Sequence, residues 1–540
     1  MKSRKKMIIS KAYITESSQY ARVCVDAFYE NRMNIFWYEV DRQYKDFLCH
    51  EKNDAFVTAL LYYCMVHSID IYSLGDVSAM LLYQLNEIYI PALSNGVNEF
   101  NHIYIHANSN DCVLDSDGNV GTGYSGGVDS IYTILKNQEA EKNMKITCLT
   151  FFKNGFGGNS LYANELNEKR SQRFSKTVSE MGYPYIEVRT NIRYFMFFDP
   201  VTSLLTLAAA LSIQKYIKHY LYSSSYLFSD FKFTPTECFF YDLLTVQCFS
   251  TENITFYSIG SDVERMAKLD YIKDFPIAQR NLDVCWDDLG NCMDIYCGKC
   301  FRTQLGLYVL GALEQFHEVF NVDLFLERID RNIGQLLYQY RHEVFLQKIH
   351  EYLEESNFQV SVESENYKKI LFQKLEGAPF PEKGRSAMYR KELWDSNDEE
   401  LLKRIRDFTL KHKEFLAENV RINPNGCNMR WLRNEIECKS ILNIFKEKGW
   451  KKVAIYGCGK VARNLVKCLC KGGITPAYII YIDGSIDYCP ENIKRIRGED
   501  DWEDADITIV AKVFFEEIPL SIVDKLPQKT IYIENLIHAV

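Results

Sequence analysis

The sequence predicts an α/β protein centred on a parallel sheet. Between about residues 116 and 325, runs rich in β-branched and aromatic residues alternate with helical patterns, and strands separated by helices pair in parallel. The first strand-to-helix junction of that stretch reads Gly123-Tyr124-Ser125-Gly126-Gly127-Val128-Asp129-Ser130, a glycine turn opening a helix. A second strand–glycine–helix unit recurs after about residue 446. A chain of 540 residues calls for several domains. Four are expected: an N-terminal α+β module over 1–115, the glycine-turn domain over 116–325, a helical connector over 326–445 and a small α/β unit over 446–540.

Composition narrows the classes of function. Hydrophobic residues make up 47% and charged residues 25%, as in ordinary soluble globular proteins. The net charge of −9 gives no general attraction for nucleic acid or anionic lipid. No apolar run reaches the roughly 20 residues of a membrane span, and no signal peptide is read at the basic start. The 17 cysteines are therefore expected to be reduced, in a cytoplasmic protein, with the clustered ones as candidate metal ligands.

In chain order, Ile35–Val40 reads as a strand, Phe56–Val66 as an apolar helix and His102–His106 as a strand. Glu39, Asp41 and His67 read as surface or cap residues. Strands are expected at Ile146–Phe152, Tyr185–Asn191, Tyr220–Ser223 and Thr255–Gly260, with helices over Leu161–Met181 and Val201–Ile217. Ligands of such sheets bind beyond the carboxyl ends of the strands. That rule marks Ser125–Ser130, Phe152–Gly155, Asn191–Arg193, Ser224–Tyr226 and Ser261–Arg265. Asp230–Leu244 is an irregular aromatic stretch, either a pocket wall or packing against a neighbour. Residues 326–445 read as charged helices, including Val344–Leu353, with no catalytic constellation.

The glycine turn is a candidate phosphate cradle. Gly126 and Gly127 let the backbone bend and approach a ligand closely. The first amides of the helix, from Gly127, Val128 and Asp129, would face an anion. Ser125 and Ser130 add hydroxyl donors, and Asp129 can reach a bound magnesium. Arg265 and Lys268 share a helix face and either neutralise a polyphosphate or belong to a solvated, ion-paired helix. Cys285, Cys292, Cys297 and Cys300 have the spacing C-x6-C-x4-C-x2-C, suited to a structural zinc; the alternative is four reduced thiols. Arg302 follows directly and is a further candidate for the phosphates.

The wording of Ser125–Ser130 resembles the Ser-Gly-Gly-x-Asp-Ser signature of the PP-loop ATP pyrophosphatases. The resemblance implies a substrate oxygen attacking the α-phosphorus of ATP while the loop holds the departing pyrophosphate. It continues through Ser223–Tyr226, Ser250–Glu252, Ser261–Lys268, Asn281–Trp286 and Cys297–Thr303. It covers about residues 10–320 and is similar to a bacterial group related to 7-cyano-7-deazaguanine synthase. The expectation is ATP-dependent adenylation of a small-molecule carboxylate or amide oxygen, followed by attack of ammonia, an amine or sulfur. The nitrogen or sulfur would be free or come from a donor protein. The sequence departs from those relatives at Thr303, where they carry a third cysteine, and in the aromatic stretch, so the acceptor need not be a deazapurine. The rival expectations are a tRNA-modifying PP-loop enzyme and a non-catalytic ATP-binding assembly or sensor protein.

Residues 446–540 resemble a small Rossmann-like module. Val453–Tyr456 leads into Gly457-Cys458-Gly459, and Tyr478–Ile482 ends at Asp483, a pattern similar to a dinucleotide fingerprint with its acid after the second strand. NAD or a nucleotide-sugar at Gly457, Gly459 and Asp483 is one expectation. A scaffold for homo-oligomers is the other.

Overall fold

The segment Cys148–Lys153 is buried at every position, as in a strand of a large sheet covered on both faces. The computed structural model describes residues 5–29, 32–154, 161–192, 201–235, 237–285, 297–341, 343–378, 380, 393–394, 397–403, 405–406, 449–456, 460–471, 473–481, 493–497, 505–510 and 530–532. The N-terminal part contributes β1 (Lys5–Ile9), β2 (Tyr13–Glu16), β3 (Tyr20–Tyr29), β4 (Arg32–Asp41), α1 (Asp54–His67), β5 (Ile69–Ser73), β6 (Val77–Ser78), α2 (Ala79–Gln84), α3 (Ile90–Gly96), β7 (Ile105–His106) and β8 (Ser109–Asn110). Next come β9 (Asn119–Gly123), α4 (Val128–Asn137), β10 (Cys148–Lys153), α5 (Leu161–Glu180), β11 (Tyr185–Thr190), α6 (Thr202–Ser212), β12 (Ile217–Ser223), α7 (Asp242–Cys248), β13 (Thr255–Ile259) and α8 (Arg265–Ile272). The helices α9 (Pro276–Asn281), α10 (Gly298–Val309), α11 (Val322–Glu327), α12 (Ile329–Gln339), α13 (Val344–Glu355) and α14 (Val362–Leu375) follow.

The sheet order is β13-β12-β9-β10-β11-β4-β3-β1-β5-β7, with β2 on β3. All pairs from β13 to β11 are parallel. The chain steps outward from β9 to β11 and then returns to the other side of β9 with β12. This reversal falls between β9 and β12, and the carboxyl ends of the strands at such a reversal are the usual ligand position in open α/β sheets. At β11 the sheet passes into the N-terminal strands, where Arg189 pairs with Glu39 and Thr190 with Tyr38 in antiparallel register. The sheet is therefore continuous across residue 115.

Pleating sends neighbouring residues to opposite cores. Cys148, Phe152, Tyr220, Tyr222 and Phe256 share one core with α1, α6 and α7. Leu149, Phe151 and Leu221 share the other with α4, α5, α8 and α10. That second core also holds Ile333, Leu336, Leu346, Ile349 and Leu353, so it continues past residue 325 into α12 and α13.

Three expectations need correction. The helix expected over Val201–Ile217 stops at Ser212; a turn closed by Tyr216 N donating to Ile213 O (2.9 Å) then starts β12 at Ile217. A continuous apolar run does not separate buried helix from buried strand. The strand expected at His102–His106 is only Ile105–His106. Glu39 is not on the surface but 5% exposed. It accepts from Arg22 Nε at 2.7 Å and lies 3.5 Å from Arg189 Nη1, at the junction of the two halves of the sheet.

Beyond residue 449, β14 (Val453–Tyr456), β15 (Tyr478–Tyr481), β16 (Lys494–Arg497), β17 (Ile507–Val510) and β18 (Thr530–Tyr532) form a second sheet, with α15 (Lys460–Lys471) between β14 and β15 in the chain. Its order is β16-β15-β14-β17-β18, all parallel. No helix among the described residues is long and apolar enough to cross a membrane.

Leu336 is fully buried in the core that also holds α4. Leu336→Ala is expected to cost about 2–5 kcal/mol and to speed amide hydrogen exchange in α4 as well as in α12. Faster exchange confined to the residues after 326 would contradict the shared core.

Candidate functional site

The glycine turn lies at the carboxyl end of β9, at the reversal of strand order. Gly126 has φ +69°, a conformation that L side chains rarely adopt. A Cβ there would also sit 2.9 Å from Asp283 Cβ and 3.1 Å from the Phe174 ring. Asp283 N donates to Gly126 O at 2.8 Å, holding the turn from behind. Within the loop, Ser130 Oγ donates to Gly127 O at 2.9 Å, and Ser125 Oγ donates to Ser130 Oγ at 3.2 Å. Gly127 is the N-cap of α4 and Asp129 lies in its first turn. The first-turn amides of Val128 and Asp129 have no carbonyl of their own helix to bond.

Asp129 draws together cations from the helix after β13. Arg265 Nη1 donates to Asp129 Oδ2 at 2.7 Å, and Lys268 Nζ donates to Asp129 Oδ1 at 3.1 Å. Lys268 Nζ also donates to Ser224 O, just past β12, at 2.6 Å, and Ser225 Oγ donates to Asp129 Oδ2 at 3.4 Å. Burial would raise the Asp129 carboxyl, but Lys268 and Arg265 outweigh it and hold the group down at about 2. Lys268 is 1% exposed, which excludes the solvated-helix reading for it. Its path runs over Gly260, φ +80°, where a Cβ would lie 2.9 Å from Lys268 Cε and 3.1 Å from Nζ. Behind Ser224, whose hydroxyl donates to Asp242 Oδ2 at 3.1 Å, burial raises the Asp242 carboxyl to about 7.

A second layer closes over this cluster from α10 and α13. Arg302 Nη1 donates to Glu343 Oε1 at 3.0 Å, while Glu343 Oε2 caps α13 by accepting Leu346 N at 2.6 Å. The Phe345 ring lies between two guanidiniums, 4.3 Å from that of Arg302 and 5.4 Å from that of Arg265. Tyr226 packs on Phe345 at 5.6 Å and on Phe240 at 4.3 Å. The aromatic stretch thus divides. Phe240 belongs to the wall beside Arg302, whereas Phe233 packs on Tyr241 and on Gly96 of the N-terminal part.

Arg265, Lys268, Arg302 and Lys299 gather with the carboxylates of Asp129 and Glu343, and Asp242 and Glu237 stand beside them on Ser224 and Tyr226. Burial, together with the nearby Arg302 and Arg265, pushes the Lys299 ammonium down to about 7. Arg302 Nε is buried with no hydrogen-bond partner among the described residues. Several convergent N–H donors of this kind suit an anion with several acceptor oxygens.

Beside it, Cys285, Cys297 and Cys300 are buried, with sulfurs within 4.8 Å of one another. Thiolates about 2.3 Å from a common zinc lie within roughly 4 Å of each other, so the cluster could hold a metal such as zinc. Cys297 is the N-cap of α10, and Cys300 lies in its first turn. A metal there would tie the start of the helix that carries Lys299 and Arg302. Cys285 is anchored independently, its carbonyl accepting Arg170 Nη2 at 2.6 Å. Cys292, Gly457, Gly459 and Asp483 lie outside the described residues.

The structure therefore brings Ser125–Ser130, Arg265 and Lys268 into one cluster, with Arg302 joined to it through Phe345. Sequence reasoning missed Gly260, Asp242, Glu343 and Phe345. Gly260 carried a signal, as a glycine between a strand and a polar helix start. The other three are distant in sequence and unmarked by any motif. Comparison with protein-family models, with curated proteins and with solved structures finds no match for this chain.

Because the Asp242 value lies above the ordinary carboxylate value near about 4, its contribution favours the fold at low pH and is lost as pH rises through about 7. Asp242→Asn is expected to raise the melting temperature more at pH 8 than at pH 5; equal shifts would contradict the buried, protonated carboxyl. Elemental analysis of the purified chain is expected to find about one zinc per chain, lowered by Cys300→Ser. A metal content unaffected by Cys300→Ser would rule the cluster out as a ligand set.

Proposed function

We propose that the chain is an ATP-dependent adenylate-forming enzyme of the PP-loop kind. What carries the reading is the convergence of Arg265 and Lys268 on the first turn of α4, where the glycine turn meets the reversal of the sheet. On this reading the Val128 and Asp129 amides and the Ser125 and Ser130 hydroxyls receive the β- and γ-phosphates of ATP. Arg265 and Lys268 offset charge as the bond from the α-phosphorus to the bridging oxygen breaks, and Arg302 adds to the same field. The acceptor's carboxylate or amide oxygen forms the new bond to the α-phosphorus, and pyrophosphate leaves with the electron pair. Ammonia, an amine or a sulfur donor then displaces AMP. Magnesium near Asp129 would supply further charge neutralisation when bound. A closed thiolate site on Cys285, Cys297 and Cys300, with Cys292 as candidate fourth ligand, would be structural. The aromatic wall of Tyr226, Phe240 and Phe345 is the candidate lining for the acceptor. The second sheet is read as a dinucleotide- or nucleotide-sugar-binding unit or as an assembly scaffold.

Exchange of labelled pyrophosphate into ATP, assayed over a panel of small carboxylic acids, tests the reading. An acid-dependent exchange is expected, and Lys268→Ala should lower its kcat/KM for ATP by about 10²–10³-fold, as for loss of one preorganised donor. Nucleotide binding without exchange for any acceptor would favour a non-catalytic ATP-binding protein instead.

A further inference from the structure

The N-terminal half of the large sheet turns an apolar row to solvent. Met7, Ile9, Ala27, Phe36, Ile71 and Ile105 point into the core that also holds α1. Their neighbours along the strands point the other way, and the register sets five outward residues in line. Met33 pairs with Phe28, Phe28 with Ile8, Ile8 with Tyr72 and Tyr72 with His106. The row therefore runs straight across β4, β3, β1, β5 and β7. Ile8 is 39%, Phe28 43% and Met33 53% exposed, and Ile35 and Leu74 are exposed along one side of the row. Contiguous apolar surface of this kind marks an interaction site.

The rings are not arranged to stack on nucleobases. His106 from β7 stacks on Tyr72 with 4.3 Å between centroids, and Lys6 from β1 lies over the same ring at 4.8 Å. These strands flank β5 on opposite sides, so both faces of the ring are taken. With a net charge of −9 as well, the surface suits a protein rather than a nucleic acid. Charge then selects the protein. Lys6 stands on one side of the row. On the other side stand Ser10 and Asp26, joined by Asp26 N donating to Ser10 Oγ at 2.9 Å. We propose that the row is the contact with a second copy of the chain, packed face to face about a two-fold axis running along the row. Rotation about that axis lays each residue of the row on its own copy and carries Lys6 over Ser10 and Asp26 of the other copy. An axis along the strands would instead set Lys6 on Lys6. Five strands wide and three rows deep, the face measures about 24 by 20 Å, or roughly 1,000 Å² over both copies. That is near the lower limit for a specific contact, so the dimer forms and dissociates with concentration.

The test is sedimentation velocity of the full-length chain over a series of micromolar concentrations. The mass is expected to rise from one chain towards two. Ile8→Glu, which places a charge at the middle of the row, is expected to raise the dissociation constant about tenfold or more. Lys6→Glu and Asp26→Lys are each expected to raise it about fivefold, and the two together to return it to within about twofold of the unaltered chain. A monomer at every concentration overturns the proposal. So does a dimer that Ile8→Glu leaves intact, because its contact lies elsewhere, or a double charge swap no better than its single variants. Nucleic acid that sediments with the chain and is lost in Ile8→Glu would also overturn it. If Ile8→Glu does not fold, the unaltered chain and the charge swap decide the matter.

Discussion

The charge balance at Asp129 is the constraint on which the rest of the site depends. One carboxylate in the first turn of α4 holds two cations from α8, and so joins the helix after β9 to the helix after β13. The join spans the strand β12 that lies between them, and Lys268 adds a bond to the Ser224 carbonyl at the end of that strand. The ends of three neighbouring strands, β9, β12 and β13, are thereby tied together. Gly260 makes this geometry attainable, since a side chain there would occupy the lysine's path. Neither cation could remain so deeply placed without the carboxylate, because burying an unpaired charge is far more costly than burying a paired one.

The outer layer follows from the same electrostatics. Arg302 comes within reach of the Arg265 guanidinium through the Phe345 ring, and Glu343 lowers the repulsion between the two arginines. A metal on Cys285, Cys297 and Cys300 would fix the origin of the helix that presents Arg302. Leu346, Ile349 and Leu353 fix α13 in the core beneath. Helices from the region after residue 325 therefore finish a site begun by the loop at residues 125–130.

Much of this was legible because it is local. The glycine turn, the alternating strands and helices of 116–325, the Arg265/Lys268 helix face and the cysteine spacing are all short-range patterns; the structure shows the alternation, apart from the stop at Ser212, and gathers Cys285, Cys297 and Cys300. What was not legible is long-range. Glu39 reads as a surface acid until β11 pairs with β4 and brings Arg189 beside it. Glu343 and Phe345 sit in an ordinary charged helical stretch, and only tertiary packing sets them over the arginines. The break at Ser212 was hidden because Ala208–Ile217 is apolar enough for either helix or strand. That Asp129 serves its own protein's cations also follows from no motif, since the signature residue alone points equally to a metal.

The most direct measurement is a crystal structure with an ATP analogue whose α–β bridge cannot be cleaved, soaked with magnesium. The account predicts β- and γ-phosphate oxygens on the amides of Val128 and Asp129, with Arg265 and Lys268 turned from the Asp129 carboxylate to the phosphates. An analogue bound elsewhere, with both cations still on Asp129, would contradict it.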